Sequence, residues 1–315
     1  MTEFSPERSA LRGIGASGVV FSHSLQYVFS VIVISAPLGW LIGGLENVGW
    51  MGVILFLTLS IYLLMGRLDE GVPLRKYFKS RIKRIWPTYF AYILVVIVMF
   101  NPSLLTVLWN VTFLATFMPA HSFISVQQPF VPVGLNWTLQ VEEIAYLCFP
   151  LIAFLAARWR TVIAWALIGI SIISVVLVMM PAHLVSYNEP WVWLSAYGAG
   201  LLAYQRKKPL SKNFKIAMLA LAALPFAGFL PFGWPLGTLF VVPFAAVIVK
   251  EPPKWLRKVL LVAVGECSYT LYLIHIFFLY LFGIFGVPIA YAAAWCVEYA
   301  QRGKEMRRRL ALARI

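Results

Sequence analysis

His23 and His275 each lie inside a long apolar run, where an ionisable side chain is costly unless it is paired or faces a wet cavity. Imidazole is also the side chain best suited to take a proton from a hydroxyl near neutral pH. His23 follows Arg12 with ten residues between them, so on a helix the ring would stand ~16 Å beyond the guanidinium, near mid-membrane. His23 reads either as a general base or as a packed, hydrogen-bonded histidine, and position alone leaves both open. His275 closes a stretch that begins Ser268-Tyr269-Thr270. Its hydroxyls suit bonds to neighbouring helices, and a structural role is the expectation for this second histidine.

Glu142 and Glu143 stand near the start of another apolar run, at the outer face of the membrane. Acids favour a helix N-terminus, which accounts for part of the pair. Neighbouring helical residues point about 100° apart, so only one can face a central cavity. Thr138, Glu142 and Tyr146, at i, i+4 and i+8, would share a face, and Glu142 is expected to point inward. Arg81, Lys83 and Arg84 end a basic segment just before Trp86 and Pro87. Such a segment can be a topology determinant that binds anionic lipid. It can also be a phosphate site for a nucleotide-like donor, since arginine forks match phosphate oxygens. Pro87 fits the first turn of the helix expected to follow. Gly13, Gly15 and Gly18 would let another backbone or a long ligand approach. Cys148, Cys267 and Cys296 lack metal-ligand spacing and read as small buried hydrophobes, so no metal site or disulfide is implied.

The composition determines what must hold these groups. Of 315 residues, 61% are hydrophobic and 12% charged, the balance of a bundle of bilayer-spanning helices. Apolar runs fall near 13–35, 47–66, 86–100, 104–118, 139–157, 161–180, 190–205, 214–231, 234–249, 259–284 and 287–301. The net charge of +14 would suggest nucleic acid in a soluble protein, but the cations cluster between these runs and report topology instead. Placing every cluster, and both termini, in the cytoplasm requires an even number of crossings. The reading is therefore an all-α integral membrane protein with about ten transmembrane helices, in which 104–118 is re-entrant or interfacial. The first run is too long for a signal peptide and is read as retained.

In order and content these stretches resemble the acyltransferase-3 family of membrane-bound O-acyltransferases. Arg12, ten residues and His23 look like the family's opening motif. Gly49-Trp50-Met51-Gly52 resembles the start of its second helix, and Arg81 to Pro87 its basic segment. Trp137-Thr138-Leu139-Gln140-Val141-Glu142 resembles its Trp-Ser-Leu-x-x-Glu signature, and Ser268 to His275 its penultimate helix. Ser60-Ile61-Tyr62 stands where the family usually has Ser-Gly-Phe. The resemblance implies one domain over residues 1–315 with no appended soluble domain. It also implies transfer of an acyl group, commonly acetyl, from cytoplasmic acyl-CoA to a hydroxyl of a surface glycan or its lipid-linked precursor. His23, Arg12 and Glu142 would be catalytic, and Arg81, Lys83 and Arg84 would hold the CoA, in a bacterial inner membrane. Expected partners are acyl-CoA, the glycan acceptor and membrane lipids, with no nucleic acid and no resident cofactor or metal. The competing reading is a proton-coupled transporter or flippase of a lipid-linked saccharide, which predicts inverted repeats that the sequence does not show. A non-catalytic scaffold, a third reading, would tolerate loss of His23.

Overall fold

The computed structural model describes residues 4–31, 36–112, 137–180, 190–223 and 234–314. These form helices α1 (Pro6–Val31), α2 (Ala36–Asp69), α3 (Leu74–Phe100), α4 (Leu104–Val111), α5 (Trp137–Ala153), α6 (Ala157–Met179), α7 (Leu194–Gln205), α8 (Lys212–Ala223), α9 (Trp234–Lys250), α10 (Val259–Phe282) and α11 (Gly286–Leu312), with no strand among the described residues. Among the described residues, four stretches, Val48–Asp69, Leu74–Phe100, Ala157–Met179 and the joined pair Val259–Leu312, are long and apolar enough to cross a membrane. Large apolar side chains stand on the outer faces, among them Leu94, Val98, Trp165, Ile173 and Leu260. Water would not tolerate so continuous an apolar surface, whereas lipid does.

Several boundaries differ from the hydropathy reading. Helix α3 begins at Leu74 and carries the basic segment as helix, because Arg and Lys are good helix formers and Pro73 takes the N-cap position. Pro87 is therefore inside α3 and not in a first turn. The helix stops where Asn101 adopts a left-handed conformation (φ 43°) and returns its N–H to the Ile97 carbonyl, with Pro102 next. Of the segment 104–118, only α4 and the residue after it are described, and the rest lies outside the described residues. Helix α11 runs on into the basic tail to Leu312, bent at Arg302. Cys267 is buried as expected, but Cys148 and Cys296 are exposed on the surfaces of α5 and α11, where apolar character suits lipid contact as well as a core.

Helix α1 is clamped between α2 and α10, and glycine makes this possible. A Cβ on Gly13 would lie 2.7 Å from the backbone of both Gly265 and Leu261, and one on Gly265 would lie 1.8 Å from the Ser9 carbonyl. On the other side, a Cβ on Gly52 would lie 2.3 Å from the Gly15 carbonyl. The expected close approach at Gly13, Gly15 and Gly18 is thus backbone against backbone on both flanks of α1.

The helix ends carrying charge meet at one end of the bundle. Arg8, at the start of α1, donates to the carbonyls of Val249 and Lys250 and to Tyr62. Arg257 pairs with Glu7 at 2.5 Å. Asp69, ending α2, accepts two bonds of 2.9 Å from Arg160 and one of 2.8 Å from Tyr204. Lys250 donates to the Arg206 carbonyl and Lys215 pairs with Glu251. The basic clusters at the starts of α1, α6 and α10 and the ends of α2, α7 and α9 therefore form one polar layer. A positive-inside arrangement requires such a layer.

Candidate active site

Helices α1, α2, α3, α5 and α10 converge on a cavity of about 50 Å³, room for one or two waters. Arg12 enters from α1, Ser60 from α2, Arg81 and Arg84 from α3, and Tyr269 and Tyr272 from α10. From α5 come Thr138, Glu142 and Tyr146, the face expected from their spacing. Arg81 and Arg84, three residues apart, share a face of α3. Lys83 falls on the opposite side, exposed and away from the cavity, so the structure brings together two of the three basic residues singled out in this segment.

Glu142 is the inward carboxylate. It accepts hydrogen bonds from the hydroxyls of Ser60 and Tyr146. Glu143 is turned elsewhere, with one buried carboxylate oxygen unpartnered. Arg81 lies over the ring of Tyr146, with its guanidinium carbon 4.8 Å from the centroid, and its buried Nε has no acceptor. Among the described residues none of Arg12, Arg81 and Arg84 forms a salt bridge. Three guanidinium groups thus face one carboxylate that is already hydrogen-bonded to hydroxyls. Positive charge left unbalanced in a membrane cavity calls for an anion.

His23 is on the same helix as Arg12 but does not line this cavity. Its Nδ1 lies 2.9 Å from Nε2 of His275, with the two rings nearly parallel. The expected structural histidine is therefore the partner of the expected base. The tautomers can be assigned from the neighbours. Nδ1 of His275 faces the carbonyls of Leu271 and Tyr272 at 3.1 and 2.8 Å, and carbonyls only accept, so this nitrogen carries the proton. With both rings neutral, Nε2 of His275 then accepts from Nδ1–H of His23, which leaves Nε2 of His23 as the pair's basic lone pair.

Between the cavity and the imidazoles stands Tyr272. It is hydrogen-bonded to Thr138, and its ring centroid is 6.0 Å from that of His275. The outer-face position expected for Glu142, beyond His23, is not what is seen. Glu142 lies with Arg12, Arg81 and Arg84, on the guanidinium side of the histidine pair, because α5 packs its first turns beside Ser60 of α2.

One charged cluster was not anticipated from the sequence. Buried Glu266 of α10 receives Ser9 at 2.8 Å and Arg309 at 3.1 Å, while Arg302 bridges from the Glu266 carbonyl at 2.9 Å to Glu298. Glu298 also accepts from Thr270 at 2.8 Å. The available signal was Glu266 itself, an acid within an apolar run. This cluster fastens the tail of α11 across α10 and α1, next to Arg84.

Comparison with known proteins adds the following. Residues 9–297 match the profile of the acyltransferase-3 family, described as an acyltransferase domain. ORF330 of Acidianus two-tailed virus, named provisionally as an acetyltransferase, is 34% identical over 330 residues, which cover 98% of this chain and 93% of that protein. The O-acetyltransferase OatA of Staphylococcus aureus is 25% identical over 295 residues, covering 79% of this chain. The matched region spans about half of OatA's own length (48%). No solved structure matches.

Proposed function

Because the chain belongs to the acyltransferase-3 family, we propose that it is a membrane O-acyltransferase. It would move an acyl group from acyl-CoA at the basic end of the bundle to a hydroxyl of a glycan or lipid-linked glycan. The observation that carries the donor is the set of three guanidinium groups in one cavity, unpaired among the described residues, at the edge of the polar layer. CoA brings several phosphate charges, which arginine recognises well. Acetyl is favoured because both relatives are named for acetyl transfer.

The residues divide the work. Arg81 and Arg84 hold donor phosphates, and the cavity widens to take the slim acyl-bearing arm of the donor while the nucleotide stays outside. Arg12, on the cavity side of Tyr272, steadies the arm behind the thioester. The arm passes Tyr272 to present the carbonyl to an acceptor hydroxyl beside His23. The hydroxyl oxygen bonds to the acyl carbon while Nε2 of His23 takes its proton. The carbon–sulfur bond then breaks, and the departing thiolate recovers that proton from His23. Glu142, held by Ser60 and Tyr146, orients the arm and offsets part of the positive charge. In a variant through a transient acyl-histidine, Nε2 itself bonds to the acyl carbon as the thiolate leaves. The acceptor hydroxyl then bonds to that carbon as Nε2 departs, and the hydroxyl proton passes to the thiolate.

The topology that goes with this chemistry has about ten crossings, with 104–118 re-entrant or interfacial, both termini in the cytoplasm and residence in a cell's plasma membrane. The single polar layer supports that arrangement. The test is reconstitution into proteoliposomes with acetyl-CoA labelled on the acetyl group and a soluble glycan acceptor. Label covalently attached to the glycan supports the proposal. Glycan that moves across the bilayer without label would replace the proposal with transport.

A further inference from the structure

A second cavity, about 720 Å³, lies between α6, α7, α8 and α9, away from the site above. Its walls have a regular build. It is lined from Thr161 to Ile172 on α6, from Ser195 on α7 to Arg206 just past its end, and from Leu239 to Lys250 on α9. Each of these stretches advances eleven residues, or ~16 Å of helix, which matches half of the ≈ 30 Å hydrocarbon thickness of a bilayer. All the charged and amide groups are at one end, that of the polar layer, and the remaining depth is apolar apart from Ser195, which is satisfied by Ser171 at 2.9 Å.

The polar end is built to donate. Gln205 accepts from Thr161 at 2.7 Å through its carbonyl oxygen, so its Nε2 must point elsewhere, and that atom is buried without a partner. Beside it stand Arg206, in no salt bridge among the described residues, and Lys250, which spends one N–H on the Arg206 carbonyl. The neighbouring acid, Glu251, is already engaged by Lys215 at 2.5 Å and by the Leu210 N–H at 2.7 Å. A slot one leaflet deep, apolar inside and carrying an amide donor and two cations at the headgroup level, complements one class of molecule. We propose that this cavity binds an anionic phospholipid of the leaflet at the basic end, with an acyl chain between α6, α7 and α9 and the phosphate at Gln205, Arg206 and Lys250. The site does not depend on the reaction proposed above. Of its walls, α7 also packs Gly200 against the Thr58 backbone, two residues from Ser60.

The test uses the full chain in nanodiscs of equal phosphatidylglycerol and phosphatidylcholine, followed by removal of bulk lipid and mass spectrometry of what stays bound. The wild type retains about one lipid, enriched in phosphatidylglycerol by at least about fivefold over the bulk, since each headgroup-level cation favours an anionic lipid by roughly that factor. The triple variant Gln205→Leu, Arg206→Gln, Lys250→Gln loses the enrichment. Ala246→Phe, which fills the apolar part, loses the bound lipid while its elution profile and helicity stay as in the wild type. Retention at the bulk ratio, or enrichment that survives both variants, overturns the proposal.

Discussion

His23 of α1 and His275 of α10 share one hydrogen bond of 2.9 Å, and the carbonyls behind His275 dictate which way its proton points. In effect His275 does for His23 what a carboxylate does for the histidine of a hydrolase, since it fixes the tautomer and the ring plane. It does so without adding charge to the bilayer.

The tautomer assignment can be read without assaying activity. With ¹⁵N-labelled histidine, the resonances lost in His23→Ala and His275→Ala should both report a proton on Nδ1 and a bare Nε2. In assays, His275→Phe should lower kcat at least about tenfold with little change in the donor KM, because Nδ1 of His23 loses its acceptor. His275→Gln, whose amide oxygen can stand near the lost Nε2, should recover most of the rate. Equal loss in both variants would reduce His275 to packing.

Arg81 and Arg84 should behave differently from Lys83. Removing either arginine should raise the donor KM by roughly tenfold to a hundredfold, the range for one charge-assisted bond of about 1.5–3 kcal/mol. Lys83→Ala, on the exposed face of α3, should stay near wild type. Titrating acyl-CoA against each variant in membranes normalised for protein amount separates these outcomes.

The hydroxyls that hold Glu142 should matter in proportion to what they leave behind. Glu142→Ala should cost far more activity than Ser60→Ala or Tyr146→Phe, since each of the latter removes one of two donors and costs about 1 kcal/mol, or roughly fivefold. Glu143→Gln should be mild, because Glu143 does not line the cavity. A Glu143 effect as large as that of Glu142 would mean that the wrong acid has been placed at the site.

Packing supplies a control on fold. Gly265→Ala would drive a Cβ into the Ser9 carbonyl with no flexible group to yield, so it should destabilise the fold by an amount typical of overpacking, about 1–3 kcal/mol or more, read as a lower thermal midpoint in detergent. Gly169→Ala meets open space on α6 and should be neutral or stabilise by up to ~1 kcal/mol through helix propensity.

Much of this was legible in the sequence because a membrane restricts the options. Apolar length marked the helices, and the clusters around Arg8, Arg160 and Lys250 marked the end they share. The i, i+4, i+8 spacing of Thr138, Glu142 and Tyr146 correctly gave a common inward face. Hydropathy could not reveal what depends on tertiary approach. Nothing local says that Lys83 is excluded while Arg84 is admitted until the neighbours of α3 are known. Nor does anything local say that His275 meets His23 across 252 positions of chain. The boundary at Pro87 was misjudged because a strong local signal, proline at a helix start, was overridden by the helix-forming basic segment before it.

The central claim is that Nε2 of His23 is the base, or the acyl carrier, in transfer to a hydroxyl. The most direct measurement is incorporation of labelled acetyl from acetyl-CoA into the glycan fraction of membranes holding equal amounts of wild type or His23→Ala. Incorporation with wild type and a loss of about a hundredfold or more with the variant is the predicted result. Equal incorporation by both would contradict it, and would leave the histidine pair as a structural contact between α1 and α10.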